Sequence, residues 1–269
     1  MVGDKAVRQR ATETVGERMI VQWIMSRSSL ARRVAGKLCR FCLPHIIVLR
    51  HIEGVRLYAD LNDSIESLAS RVTRFDDWEP RVKKVLDAWA GPVWDVGCNI
   101  GSFSVSAVLK GHKVTAFDLS PKAAGLLSLT AIDNGLDIAV VPRPMTTHPI
   151  YYMPPGTSHS ENAIELGGDD MSISYSRAEA QHGTPKILKM DIEGGEGMFL
   201  NNACFKRWIV ENEIVFMLEF HHFRIGKELL WDDVPHLDLY RGKRCSHVLY
   251  YHDAEMLSEV GREFYGLSD

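Results

Sequence analysis

No stretch of this chain approaches the roughly 20 consecutive apolar residues that cross a bilayer, and its opening, Met1-Val2-Gly3-Asp4-Lys5, lacks a signal peptide's apolar core. The expectation is a soluble, cytoplasmic protein. Cysteine is also scarce: five residues, an odd number without even spacing, exclude a disulfide framework and suit a reducing compartment. Cys39-Arg40-Phe41-Cys42 is a lone C-x-x-C with His45 nearby, and no second pair completes a four-ligand zinc site. It reads as two small apolar residues on one helix face, so no metal is expected. With 45% apolar and 25% charged residues, the chain has the balance of an ordinary globular protein.

A net charge of −4 hides an asymmetry, because residues 1–50 hold ten Lys/Arg against three Asp/Glu and the remainder is strongly acidic. Within that basic segment Met19, Ile20, Trp23, Ile24, Leu30, Val34 and Leu38 recur at helical spacing, interleaved with Arg27, Arg32, Arg33, Lys37 and Arg40. We read residues 1–50 as a basic helical N-terminal extension that packs on the acidic body, with peripheral contact to an anionic membrane surface as the second use. Nucleic acid is disfavoured as a partner, since the body shows no interleaved basic and aromatic face.

Residues 51–269 are expected to form one domain. The chain has no G-x-G-x-x-G. In its place stands Val93-Trp94-Asp95-Val96-Gly97-Cys98-Asn99-Ile100-Gly101, a short apolar run ending in an acid and two glycines, followed by helix-like spacing from Ser102 to Leu109. This is strand, tight turn, helix. Gly97 and Gly101 permit backbone conformations and close approaches that a Cβ forbids. Lys113 to Phe117 form a second strand ending in Asp118, roughly 20 residues beyond the first glycine, the spacing at which an acid accepts hydrogen bonds from a ribose. Asn99 in the middle position and an early Gly101 suit a ligand with a ribose but no pyrophosphate, and Asp95 favours an ammonium group over a phosphate. S-adenosylmethionine meets both conditions.

Around this centre the pattern alternates. Residues 52–62 read as a hairpin or edge strand, 65–75 as a helix, and Val82 to Trp89 as a helix entered at Asp77 and Pro80. Ser120-Pro121 opens another helix that ends at Gly135, and Ile138 to Val141 form a third strand. Strand, helix, strand, helix, strand signals a mostly parallel sheet with helices on both faces. Pro142 to Pro185 lack periodicity and read as a lid or insertion, with local pairing near Met171 to Tyr175. A helix is expected after Leu229, a strand around His247 to Tyr251, a helix around Ala254 to Val260, and a closing strand near Glu263 to Tyr265.

Two further strands carry ionisable ends. In Ile187-Leu188-Lys189-Met190-Asp191-Ile192-Glu193-Gly194-Gly195-Glu196, alternation puts Lys189 and Asp191 on one face, while Glu193 and Glu196 stand at a helix N-terminus. Ile214 to Phe220 form another strand, ending in the cluster Glu219, His221 and His222. In open α/β sheets, ligands bind at this carboxyl edge.

The run Asp95-Val96-Gly97-Cys98-Asn99-Ile100-Gly101, Asp118 followed by Ser120-Pro121, and Lys189-Met190-Asp191-Ile192-Glu193-Gly194-Gly195-Glu196 together resemble the FkbM family of S-adenosylmethionine-dependent methyltransferases. The resemblance covers about residues 53–222, with Trp78-Glu79-Pro80 similar to the family's entry segment. It implies a Rossmann-like class I methyltransferase fold and O-methylation of a hydroxyl on a sugar, glycan or other small natural product. Cys98 stands where a smaller residue is common, Asp118 replaces the usual glutamate, and residues 142–185 match the family poorly, which leaves the acceptor open.

On this resemblance Asp95, Gly97, Asn99 and Gly101 hold the methionine end of the cofactor, Asp118 its ribose, and the Leu119 backbone its adenine. Lys189, Asp191, Glu193 and His221 face the acceptor, with Asp191 or Glu193 taking the hydroxyl proton directly or through His221. Three rivals stand beside this reading. One is a metal-assisted reaction on Asp191, Glu193, Glu219 and a histidine; another is a ribose 2′-O-methyltransferase of RNA. The third is a non-catalytic cofactor-binding or interaction protein.

Overall fold

The computed structural model describes residues 46–50, 54–60, 80–147, 151–152, 165–166, 172–221, 230–241 and 245–266. The chain divides into two compact units, Met1–Trp78 and Glu79–Asp269. In the first, β1 (Ile46–Arg50) pairs antiparallel with β2 (Arg56–Asp60), Ile46 opposite Asp60 and Arg50 opposite Arg56. This hairpin runs across residue 50, and Ile46, Ile47 and Val48 have the β-branched character that favours a strand. The expected helices within residues 1–45 and 65–75 lie outside the described residues.

The second unit opens with α1 (Pro80–Ala88), β3 (Val93–Val96), α2 (Ser102–Leu109), β4 (Val114–Phe117), α3 (Pro121–Asn134) and β5 (Ile138–Val141). As expected, Ser120 caps α3 by accepting from Ala123 N, and Gly135 ends it in the left-handed region. The two-residue strands β6 (Met145–Thr146), β7 (Tyr151–Tyr152), β8 (Glu165–Leu166) and β9 (Ile173–Ser174) pair locally, β6 with β9 and β7 with β8. The chain continues through α4 (Tyr175–His182), β10 (Ile187–Met190), α5 (Glu196–Leu200), α6 (Ala203–Glu211), β11 (Val215–His221), β12 (His236–Arg241), β13 (Cys245–Tyr250) and α7 (Ala254–Tyr265).

Seven strands form one sheet in the order β12-β13-β11-β10-β3-β4-β5, parallel except that β13 runs antiparallel to both neighbours. This is the Rossmann-like arrangement of class I methyltransferases, as the sequence led us to expect. Strand alternation divides the core in two. Trp94, Val96, Leu188, Met190, Phe216, Leu218 and Phe220 face a layer with Phe199 of α5 and Phe205, Trp208 and Ile209 of α6. Val93, Val114, Ile187, Val215, Met217 and Leu249 face Val85 of α1, Phe103 of α2 and Leu257 of α7. Helices therefore cover both faces.

Three expectations are corrected. The segment before residue 185 contains the helix α4, which lacked a visible stripe because Ala178 is its one fully buried residue; Ser174 caps it. Where a helix was expected after Leu229, β12 forms instead: Leu237 and Leu239 alternate onto the face under α7, and Gly261 of α7 leaves just enough room for Leu237. The expected closing strand at Glu263 to Tyr265 is the last turn of α7, since Asp253 caps that helix and its apolar spacing runs on through Tyr265.

Phe205 is fully buried and its ring meets those of Tyr175, Phe199, Trp208, Phe216 and Trp231. Truncating it to alanine should cost about 3–5 kcal/mol, read as a lowered urea midpoint. Ile132→Ser, at a site 79% exposed, should stay within about 0.5 kcal/mol.

Candidate functional site

The chain enters the sheet at β3, builds outward through β4 and β5, and returns to β10 on the other side of β3. That reversal makes the carboxyl edge between β3 and β10 the topological switch point, where open α/β sheets bind ligands. The parallel register sets Lys189 beside Asp95. Along the same face, Val93, Ile187, Val215 and Met217 are apolar, while the next positions toward the carboxyl edge are Asp95, Lys189 and Glu219. One face of the sheet thus turns from core to polar site along its length.

Asp95 is fully buried, and its Oδ2 accepts from Ser104 Oγ at 2.6 Å. Its buried Oδ1 accepts no hydrogen bond but lies 3.3 Å from Lys189 Nζ. The same ammonium group donates to Gly97 O at 3.3 Å and stands 3.7 Å from Asp191 Oδ2. Lys189 thus joins the glycine turn to the second motif. Gly97, at φ +77, cannot be replaced freely: a Cβ there would sit 1.7 Å from the Asp191 carbonyl oxygen. At Gly101, φ +90, it would strike the Leu127 side chain.

Asn99 adopts φ +51, turning its amide onto Asp118 Oδ2 at 2.7 Å, and Ser120 N donates to Asp118 Oδ1 at 2.8 Å. Burial raises the pKa of Asp118, against the lowering effect of these two hydrogen bonds. Leu119 follows, half-buried. Burial and the charges of Asp95 and Asp118 also push the Cys98 thiol well above its ordinary value, which disfavours the thiolate.

Beyond Asp191 the chain bends sharply, with Glu193 in the left-handed region at φ +55. The fully buried Glu196 holds this bend: its carboxylate accepts from Ile192 N at 3.1 Å and Gly194 N at 2.8 Å. Glu196 Oε1 also lies 3.1 Å from His221 Nδ1, which must donate because a carboxylate only accepts. His221 Nε2 then faces Glu193 at 3.6 Å, Glu219 at 3.6 Å and Asp191 at 4.0 Å. Burial disfavours the imidazolium, but the hydrogen bond to Glu196 and the charges of Glu196, Asp191 and Glu219 outweigh it and raise the pKa to about 9. Burial also works against the Glu219 carboxylate, yet its hydrogen bond and charge interaction with His247, 3.2 Å away, together with Lys189 and His221, lower it to about 2.

The structure brings the sequence-derived residues together on one rim. Asp95, Gly97, Asn99, Gly101, Asp118 and Leu119 line the edges of β3 and β4; Lys189, Asp191, Glu193 and His221 cluster across β10 and β11. The sequence reading assigned no site role to Ser104, Glu196, Cys245 or His247. Ser104 stands one helical turn into α2, and Glu196 belongs to the motif itself. Cys245 and His247 arrive from β13, which the register lays opposite His221 and Glu219. A cavity of about 530 Å³ opens at the other end of the sheet, between Asp232 to Leu237 and α7, away from this cluster.

No family model matches the chain, and no curated protein sequence matches it. Among solved structures it is similar to an S-adenosylmethionine-dependent methyltransferase from Agrobacterium tumefaciens, with a TM-score of 0.46 and 13% identity over 78% of this chain and 71% of that one. It is also similar to the Pyrococcus abyssi tRNA (uracil-54, C5)-methyltransferase in complex with S-adenosyl-L-homocysteine, with a TM-score of 0.40 and 12% identity over 77% of this chain and 44% of that one. The tRNA m1G37 methyltransferase of M. jannaschii gives a TM-score of 0.42 and 14% identity over 83% and 65%. At these scores the likeness bears on neither activity nor acceptor.

Lys189 is only 7% exposed. Replacing it with methionine strands Asp95 as a buried, uncompensated charge and should destabilise the fold by about 3–5 kcal/mol. Adding Asp95→Asn should recover part of that loss in a double-mutant cycle of urea unfolding. Strictly additive losses would mean that the two groups do not interact.

Proposed function

We propose that the chain is an S-adenosylmethionine-dependent O-methyltransferase acting on a hydroxyl of a sugar, glycan or other small natural product. The supporting observation is the convergence of Asp95, Asp118 and Asp191 at the switch point of a mostly parallel sheet, with Lys189 bridging the first to the last. Three features fit the cofactor. The buried Asp95 Oδ1 accepts no hydrogen bond, the Asn99 and Ser120 amides hold the Asp118 carboxylate at the end of β4, and the turn offers no pyrophosphate cradle. Asp95, Gly97, Asn99 and Gly101 take the methionine end, Asp118 the ribose hydroxyls, and the Leu119 backbone lies along the adenine.

Bound there, the cofactor supplies a methyl group on a sulfonium for in-line displacement by an oxygen. The protein's share is to orient the acceptor, shield it from water and remove its proton. Asp191 is the proton acceptor in this scheme, with Glu193 beside it. Lys189 fixes the Asp191 carboxylate from one side and stabilises oxyanion character on the acceptor. His221, its Nδ1 given to Glu196 and its Nε2 turned toward three carboxylates, gathers those carboxylates on one side of the acceptor rather than standing as a lone base. We place the protein in the cytoplasm, with nucleic acid disfavoured as a partner.

Asp191→Asn should leave cofactor affinity within about twofold while turnover on the accepted hydroxyl falls by about 10²-fold or more; near-normal turnover would remove Asp191 from the chemistry. Asp118→Ala deletes a charged acceptor for the ribose and should weaken cofactor binding by roughly 100-fold, about 3 kcal/mol, in isothermal titration. The pH dependence of that affinity carries a sign. Because burial raises the Asp118 pKa, protonation removes the ribose acceptor as pH falls through a value above the ordinary aspartate range of about 4. Affinity should therefore decline on acidification earlier than an ordinary aspartate would give, and Asp118→Asn should be both weak and flat. Wild-type affinity that is constant down to about pH 4 would contradict the assignment.

A further inference from the structure

At the outer side of the polar edge, β13 lies antiparallel to β11 with His247 opposite Glu219 and Cys245 opposite His221. All four side chains project from the sheet face that carries Lys189. Glu219, Cys245 and His247 each present one ligand-type atom, and these atoms lie within 4.8 Å of one another. The Glu219 Oε2 to His247 Nε2 separation is 3.2 Å, close to the ~3.4 Å between two ligands that share a tetrahedral ion at about 2.1 Å each. The set is shielded without being sealed: side-chain exposure is 15% for Glu219 and 11% for His247, and Cys245 is half-buried.

We propose that Glu219, Cys245 and His247 bind one zinc-class transition-metal ion, at a site that shares only Glu219 with the carboxylates gathered around the acceptor. A thiolate, an imidazole and a carboxylate form the donor mixture that zinc takes, whereas magnesium and calcium take oxygen alone. Three protein ligands leave a fourth position open, the pattern of a reactive or exchangeable site rather than a closed structural one. The competing group Asp191, Glu219 and His221 is equally compact but a poorer choice for a cation. Lys189 Nζ stands 3.7 Å from Asp191 and repels a dication there, and the group lacks the thiolate that favours a zinc-class ion. Glu219 Oε1, 3.6 Å from His221 Nε2, would instead tie the metal-bound carboxylate to the His221–Glu196 pair, the outer support that metal ligands commonly have. On binding, the ion enters between Glu219 and His247, the proton between them leaves, and the Cys245 thiol proton goes to solvent.

The test is titration of chelator-stripped full-length protein with cobalt(II). One equivalent should bind and develop the near-ultraviolet thiolate-to-cobalt charge-transfer band together with the intense visible bands of a tetrahedral ion; zinc should bleach both. Cys245→Ser should abolish the charge-transfer band, His247→Gln should weaken binding at least tenfold, and Asp191→Asn should leave the spectrum unchanged. Absence of the band in wild type, its survival in Cys245→Ser, or its loss in Asp191→Asn would each overturn the proposal. Should a variant fail to fold, zinc protection of Cys245 from iodoacetamide in the wild type, located by peptide mass spectrometry, answers the same question, and alkylation unaffected by zinc counts against the site. Adenosylmethionine affinity measured on the same stripped protein keeps failure of this site distinct from failure of the methyltransferase reading.

Discussion

The pair that organises this molecule is Lys189 with Asp95. Two parallel neighbouring strands bring a cation and an anion to the same register position inside a core, where neither is tolerable alone. Their 3.3 Å contact stabilises less than the Coulomb term suggests, because both groups have lost their water. What it confers is position. The Lys189 ammonium group also reaches Gly97 O and Asp191, so the glycine turn after β3 and the bend after β10 have one shared anchor. A change in strand register would separate all of these contacts at once.

From that anchor the polar groups spread in two directions. Toward β4 the order is backbone-mediated: Asn99 accepts a left-handed conformation so that its amide reaches Asp118. Toward β11 and β13 the order is carried by side chains, Glu196 holding the bend and His221 joining it to Asp191, Glu193 and Glu219. Carboxylates outnumber cations in this half of the site. A site of that composition favours a cationic ligand.

Much of this was legible in the sequence, for identifiable reasons. The glycine turn, Asp118, and the Lys189 to Glu196 run lie in short continuous stretches, where spacing alone indicates which side chains reach the carboxyl edge. The α3 caps at Ser120 and Gly135 are likewise local. What escaped notice depends on pairing between distant segments. Cys245 and His247 look like ordinary strand residues until β13 inserts beside β11, and β12 was misread because its alternation is brief and follows a turn around Pro235. The strand Ile46–Arg50 likewise takes its conformation from its partner Arg56–Asp60, which its own short run does not reveal. Glu196 was visible but read as a helix-end acid; only the bend it closes reveals its second partner, His221.

The position of the bound cofactor decides whether these residues form a methyl-transfer site. The most direct measurement is a crystal structure with S-adenosyl-L-homocysteine bound. It should show the ribose hydroxyls on Asp118, the amino acid end along the Asp95 to Gly101 turn, and the sulfur turned toward Lys189 and Asp191. A ligand seated elsewhere, or a ribose with no contact to Asp118, would contradict it.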